Sequence, residues 1–418
     1  MRRLTIAALV LSITGSAMGE DWPRWRGVRG TGEWSGPPIA QQLNSSVLPV
    51  VWRGPLGGGY SGVTVSDGRA YTMDRPAGDD GPLDVERIVC FDAATGNLLW
   101  AHPYAAEYGD LAYNNGPRAS VTIHEGRAYA LGAVGHVHCL DAATGEPIWS
   151  IDSMKELAAE RPIWGFAASP VIYGDLVLLH VGARPIGSLV ACDRHTGEVV
   201  WRADSDEAAY ATPVIIDHPC GVPQIVHWSP KHIMGIDPRD GQVRWKFPYD
   251  IQYGVAIADP IFHDGLLLIS AFWHGARALR LGPEAQDVEL AWSDQHENRG
   301  LMAGPLYRDR HGYILDRDFG LTCFDYNTGK KLWDDGNKMT PKARHPHSTL
   351  IGLSGSDGAL ALNAKGELMH LRLNPSGYQE LWRVKIIGDT WAHPAPTGRH
   401  LIARNDSEIV CVELPLAK

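Results

Sequence analysis

The apolar residues of this chain come in short aliphatic and β-branched runs separated by glycine-rich polar turns. No window keeps a helical period long enough to matter, so the pattern predicts strands and hairpins almost throughout. Residues 151–161 (IDSMKELAAER) are the exception and predict one short helix. One strand–turn–strand phrase recurs: FDAATGNLLW (91–100) returns as LDAATGEPIW (140–149), CDRHTGEVVW (192–201), IDPRDGQVRW (236–245) and FDYNTGKKLW (324–333). In each copy a Gly follows the Asp by four residues and a Trp follows the Gly by four. The Asp carboxylate accepts backbone N–H groups in a tight turn, and the Gly supplies its positive φ. The Trp falls on the second strand, where a large amphipathic ring can wedge between neighbouring units.

Two blurred copies, RLGPEAQDVELAW (280–292) and RLNPSGYQELW (372–382), keep the Trp, and VVW (50–52) keeps only the last strand. The repeat tryptophans are therefore Trp52, Trp100, Trp149, Trp201, Trp245, Trp292, Trp333 and Trp382. Their mean spacing of about 47 residues matches a four-stranded propeller blade. IVCVEL (409–414) reads as the strand before a turn, with Glu413 in the Asp position and no following Gly or Trp. The missing strand is available at Val50–Trp52. The expected fold is all-β: an eight-bladed propeller of four-stranded antiparallel blades, closed by an N-terminal strand that completes the last blade and protects the sheet edges.

Residues 1–19 read as a cleavable export signal, with Arg2 and Arg3, an apolar run from Leu4 to Ile13, and Ala17-Met18-Gly19 as the cleavage site. Residues 20–49 form a segment expected to dock on the propeller through Trp22 and Trp25, and residues 50–418 the propeller itself. No cysteine near the leader offers a lipid anchor, and the apolar run is too short for a lasting membrane span. These features imply a periplasmic or secreted monomer without a transmembrane anchor. The formal charge is −10, and more negative still without Arg2 and Arg3, which excludes nucleic acid as the main partner. Cys90, Cys139, Cys323 and Cys411 share one place in four repeats, with Cys192 one position off and Cys220 in a loop. They read as free buried thiols, not as a disulfide framework.

The D-x-x-T-G-x-x-x-W turn, preceded by strands such as SPVIYGDLVLLHV (169–181) and TPVII (212–216), resembles the pyrroloquinoline-quinone-like repeat over about residues 50–418. DWPRWRG (21–27), GPRAS (116–120) and AYATPV (209–214) are similar to a branch of exported bacterial propellers described as BamB-like. The resemblance implies one of two things. The first is a non-catalytic binding or scaffold propeller of the cell envelope, with a protein or polymer partner and no cofactor. The second is a dehydrogenase for alcohols or sugars that uses pyrroloquinoline quinone with Ca²⁺ at an atypical site. The adjacent Cys-Cys pair of quinoprotein alcohol dehydrogenases is missing here, as is a C-x-x-C-H haem motif. BamB is the nearer analogy, although the WPRWRG segment is not one of its marks. A carbohydrate-binding or carbohydrate-cleaving propeller is a third class.

A repeat supplies its own baseline, so departures from it are candidates for function. Aligned on the Pro that opens the inner strand, the preceding residue reads Ser61, Ser120, Ser169, Thr212, Asp259, Gly304, Ser348, His393. One position earlier it reads Tyr60, Ala119, Ala168, Ala211, Ala258, Ala303, His347, Ala392. One earlier again gives Gly59, Arg118, Ala167, Tyr210, Ile257, Met302, Pro346, Trp391. Tyr60, Arg118, Tyr210, Asp259, His347, Trp391 and His393 are thus the candidate ligand-binding residues at a channel mouth, with Arg118 as fork donor and the aromatics as platform. No catalytic residue is assigned and no metal site is expected. The His345-Pro346-His347 pair lacks a nearby carboxylate, and Asp74, Asp79, Asp80 and Asp84 read as a solvated hairpin loop without calcium-loop spacing.

Overall fold

In the computed structural model, which describes residues 19–79 and 81–417, the repeats fold into eight four-stranded antiparallel blades around a channel. Blade one runs outward from the channel as Thr64–Ser66, Arg69–Asp74, Val85–Asp92 and Leu98–Ala105. The same order repeats to blade seven, which starts at Ser348–Leu353 and ends at Gln379–Lys385. Blade eight takes Ala395–Thr397, His400–Arg404 and Glu408–Glu413 from the end of the chain, and Val50–Pro55 pairs antiparallel with the last of these. The N-terminal strand closes the ring, as the repeat arithmetic requires.

Apolar side chains of adjacent blades interlock to make the core. Between blades two and three, Tyr129, Leu131, Val137 and Cys139 pack against Val177, Leu179, Val190 and Cys192. All six cysteines are free, and five of them are buried in such contacts. Their thiols behave as small hydrophobes; burial pushes Cys90 up to about 12.

The repeat tryptophans latch each blade to the next. Trp52 donates its indole N–H to Ala93 O at 2.9 Å, Trp149 to Arg194 O at 3.1 Å and Trp292 to Tyr326 O at 3.0 Å, in each case the residue after the turn Asp or its equivalent. Two variations follow from the degenerate repeats. Blade five has no regular turn, so Trp245 donates to Gln224 Oε1 at 2.8 Å, and Gln224 Nε2 passes the contact to Ala285 O at 2.9 Å. Blade eight has no turn at all, and Trp382 donates instead to Ala40 O at 2.9 Å in the N-terminal segment.

That segment is a strap across one end of the channel. Trp22 bridges to Val65, Glu33–Trp34 adds a parallel strand to Gly352–Leu353 of blade seven, and Ile39 bridges to Leu416. The expected leader falls on residues outside those described, apart from Gly19. Among the described residues no helix is long and apolar enough to cross a membrane.

Two expectations are corrected. Helix in 151–161 shrinks to the single turn Ser153–Glu156, because Ile151 and Asp152 finish a strand and Asp152 caps the turn. Asp74 is not in a solvated loop: it ends the second strand of blade one, is fully buried, and is held by Arg87 and by Gly57 N at 2.7 Å. Asp79 is exposed, Asp84 pairs with Arg75 at 3.1 Å, and Asp80 lies outside the described residues.

Candidate functional site

Because every inner strand starts at the same height, the residues just before these strands gather at one end of the channel. They meet at a cavity of about 190 Å³, and all seven candidates, Tyr60, Arg118, Tyr210, Asp259, His347, Trp391 and His393, line it. The strap supplies its floor through Trp25, whose ring lies 4.2 Å from that of His393.

The ring of small hydroxyls has a mechanical role. Ser120 N–H donates to Ser169 Oγ at 3.0 Å, Ser169 N–H to Thr212 Oγ1 at 3.1 Å, and Thr212 N–H to Asp259 Oδ1 at 2.9 Å. Each side chain thus caps the backbone of the preceding blade. Asp259 takes the place of a hydroxyl with one oxygen and accepts the Trp25 indole N–H with the other. Burial pushes its carboxyl up, opposed by the Arg26 charge and by these two donors. At the next position Gly304 leaves room for the buried Arg26 guanidinium, which donates to Pro305 O at 2.6 Å and Thr31 O at 2.7 Å.

Arg118 is also largely committed. Nε donates to Trp164 O at 2.8 Å, Nη2 to Ala112 O at 2.9 Å and Tyr113 O at 2.6 Å, and Nη1 to Gly116 O. Four of its five N–H groups are therefore used on carbonyls, and among the described residues no carboxylate pairs with its charge. Its guanidinium carbon lies 5.6 Å from the Tyr60 ring centre. Burial pushes the Tyr60 and Tyr210 hydroxyls up to about 12, so both stay neutral donors.

His347 is different. It is only 2% exposed and neither ring nitrogen has a hydrogen-bond partner; the Trp391 backbone lies near but outside bonding geometry. Burial holds His347 down to about 4. Burial also holds His393 well below the usual histidine range, with the charges of His347 and Arg26 adding to that. Both imidazoles are neutral at pH 7. His345 points elsewhere in the cavity wall, against Tyr113 and Phe272, and among the described residues no group of three His, Cys, Asp or Glu gathers round one point.

Sequence reasoning passed over Tyr113, Trp164, Phe272 and Trp273, which also line the cavity, and read Trp25 as a docking residue without placing it at this site. Tyr113 and Trp164 lie in the connections between blades, and Phe272 and Trp273 in a hairpin of blade five, where the repeat gives no register. Ala167, Ile257 and Met302 were in register but apolar, and so carried no signal.

Comparisons with known proteins agree on the architecture. The family model described as outer membrane protein assembly factor BamB matches residues 84–276 and 231–413. A quinohemoprotein alcohol dehydrogenase of Pseudomonas putida is 30% identical over 146 residues, covering 33% of this chain and 18% of that protein. The dehydrogenase subunit of a quinone alcohol dehydrogenase from Komagataeibacter europaeus is 32% identical over 154 residues, covering 31% and 20%. The matches thus span about a fifth of the length of these curated relatives. Among solved structures, BamB from Moraxella catarrhalis superposes with a TM-score of 0.62 at 16% identity, covering 88% of this chain and 100% of that one. A europium-containing methanol dehydrogenase gives 0.67 at 13% identity, covering 90% and 87%. At these identities the structural likeness is one of fold. With the family model matching well over half its length, the chain belongs to the pyrroloquinoline-quinone-like repeat β-propeller family described as outer membrane protein assembly factor BamB.

Proposed function

We propose that this protein is an exported, non-catalytic propeller of the cell envelope that binds a partner group or ligand at the channel mouth. One observation carries the reading. The departures from the repeat converge on a cavity whose ionised groups are spent on the fold: Asp259 accepts from Trp25 and Thr212, and Arg118 donates to four carbonyls. General acid–base work needs a titratable pair free to exchange protons with a substrate, and here burial leaves both histidines weak bases. The family's description as an assembly factor favours an envelope protein or polymer as partner.

A second reading, a quinone-dependent dehydrogenase, is favoured by the stretches of 30–32% identity to alcohol dehydrogenases. The aromatic walls and the unpartnered His347 suit a planar ring system with polar edges. The residues do not suit its calcium partner: among the described residues Asp259 is the only carboxylate lining the cavity, and both its oxygens are engaged. The quinone–calcium pair therefore does not fit this donor set.

Purified protein incubated with pyrroloquinoline quinone and Ca²⁺, then assayed for dye reduction over alcohols and sugars, is expected to show no turnover. Saturable binding with turnover would overturn the non-catalytic reading. Osmotic-shock fractionation of expressing cells should release the protein with the periplasmic pool; retention in the cytoplasm would contradict export.

A further inference from the structure

The open end of the channel carries an aromatic surface that the fold leaves uncovered. Tyr253, Tyr113 and Trp273 are 61%, 44% and 37% exposed on this rim. Their rings belong to one run of contacts that leads inward. Tyr253 meets Trp273 at 5.8 Å, Trp273 meets Phe272 at 5.0 Å, and Phe272 meets His345 at 5.8 Å. His345 then meets Trp391 at 6.5 Å, and Tyr113 meets the same Trp391 at 6.0 Å. Below this run lies the cavity with Trp25 as its floor. Tyr113 and Tyr253 also hold left-handed backbone, with φ of 54° and 58°, which an L side chain adopts at a steric cost. Neither burial nor relaxed backbone accounts for these two aromatics. A contiguous exposed apolar surface bounded by polar groups marks a docking site, and aromatic and arginine side chains dominate binding where such sites are used.

Size and charge say what docks. The cavity of about 190 Å³ compares with about 150 Å³ for one that accepts benzene, so it takes a single aromatic ring. A folded surface cannot enter it, whereas one side chain of an extended segment can. The cations of the rim are concentrated on one sector. Residues 335–347 connect blades six and seven and end in the lining residues His345 and His347. This connection carries Lys342 and Arg344, both exposed and, among the described residues, without an acidic partner. Arg317 lies 4.3 Å over the Phe272 ring, and its charge and that of Arg344 both act on His345. The acids of the same face are mostly engaged. Asp406 accepts from Gly59 N at 3.0 Å and Asn115 Nδ2 at 2.8 Å, Asp110 pairs with Arg161 at 2.7 Å, and Asp318 pairs with Arg299 at 2.9 Å. Glu107 and Asp250 stand in the connections that leave blades one and four, away from the basic sector. An aromatic anchor flanked by carboxylates complements this arrangement.

Resting on the binding reading above, we propose that the open mouth docks an extended acidic segment of a partner protein, which places one aromatic side chain in the cavity and its carboxylates on Lys342, Arg344 and Arg317.

The test is fluorescence anisotropy of labelled heptapeptides on the purified protein, using DEDFDED, DEDADED, SSSFSSS and KKKFKKK. The acidic phenylalanine peptide is expected to bind at least tenfold tighter than each of the others, and to weaken at least threefold between about 50 and about 300 mM NaCl. Equal binding of the alanine, serine or lysine peptide would overturn the proposal, as would no binding of DEDFDED up to about 1 mM. With folding verified by thermal melting, Trp273→Ala and Met302→Trp, which strips the rim and fills the cavity, should each weaken DEDFDED at least tenfold. The pair Lys342→Glu and Arg344→Glu should weaken it as much and abolish the salt dependence, whereas Lys330→Glu, in a turn at the opposite end of blade six, should change nothing. If neither the rim nor the charge variants weaken binding, the proposal fails. A dimer in sedimentation that Trp273→Ala dissolves would assign the mouth to a second copy instead, and binding to phosphatidylglycerol vesicles without peptide binding would assign it to a lipid surface; either result overturns the proposal. Peptide failure alongside an inactive dye assay sinks this inference alone, whereas dye turnover sinks the non-catalytic reading and leaves peptide docking to be judged by its own ratios.

Discussion

The turn glycine of the repeat answers two demands at once. Gly241 sits at φ +72°, and a Cβ there would lie 2.6 Å from the ring of Trp201, which donates to Pro238 O at 3.1 Å. Left-handed φ alone costs an alanine about 1 kcal/mol, and forcing a methyl into a packed ring adds about 1–3 kcal/mol. Gly221 is the control, with φ +81° and open space, nothing within 4 Å, where a Cβ would sit. Gly241→Ala is therefore expected to destabilise by about 2–4 kcal/mol and Gly221→Ala by about 1 kcal/mol, read from urea-denaturation midpoints. Equal costs would show that the tryptophan wedge carries no strain. The turn Asp is better buffered: Asp92 Oδ1 accepts from Ala94 N, Thr95 N and Thr95 Oγ1, so several donors share its role.

Among elements, the strap matters most, because it floors the cavity and replaces the missing turn beneath Trp382. Arg26 is its anchor, and Gly304 exists in the hydroxyl ring to admit it. Arg26→Ala should cost about 2–4 kcal/mol by stranding the Pro305 and Thr31 carbonyls, and Gly304→Ala about 1–3 kcal/mol by displacing the guanidinium. The double variant should cost less than the sum by about 1 kcal/mol or more, since both changes break one contact; strict additivity in a denaturation cycle would contradict it. None of this was legible before the fold was known. DWPRWRG announced a docked segment, yet nothing in it pointed to Asp259 or to the gap at Gly304. The blades were legible because each repeats the same turn and wedge, and seven cavity residues because they break that baseline at a fixed register. Tyr113, Trp164, Phe272 and Trp273 were not, because chain connections have no register to break, and Asp74 misled because its burial depends on Arg87 thirteen residues away.

At the scale of the whole ring, stability couples to pH through histidines sealed inside it. Burial holds His180 and His347 down to about 4, and His138 to about 3 with His102 and His136 adding to the effect. Each titrates near 6.5 once the chain unfolds. Between about 4 and 6.5 the unfolded chain therefore binds more protons than the folded one, and stability rises with pH across that window. The contribution is complete above 6.5 and lost as pH falls towards 4. A shift from 6.5 to about 4 corresponds to about 3 kcal/mol per site as an upper figure, and solvent reaching the sites lowers it. Turn aspartates such as Asp92 and Asp141, held below their usual range by N–H and hydroxyl donors, add to acid loss only at lower pH. Urea midpoints are expected to fall steeply from pH 6.5 to 4.5 and to stay level from 7 to 8. His347→Phe removes one of the titrating sites without removing its ring packing, so its profile should be shallower through the same window. A wild-type profile that is flat down to pH 4.5, or a variant slope equal to that of the wild type, would show that these imidazoles are hydrated in the folded chain.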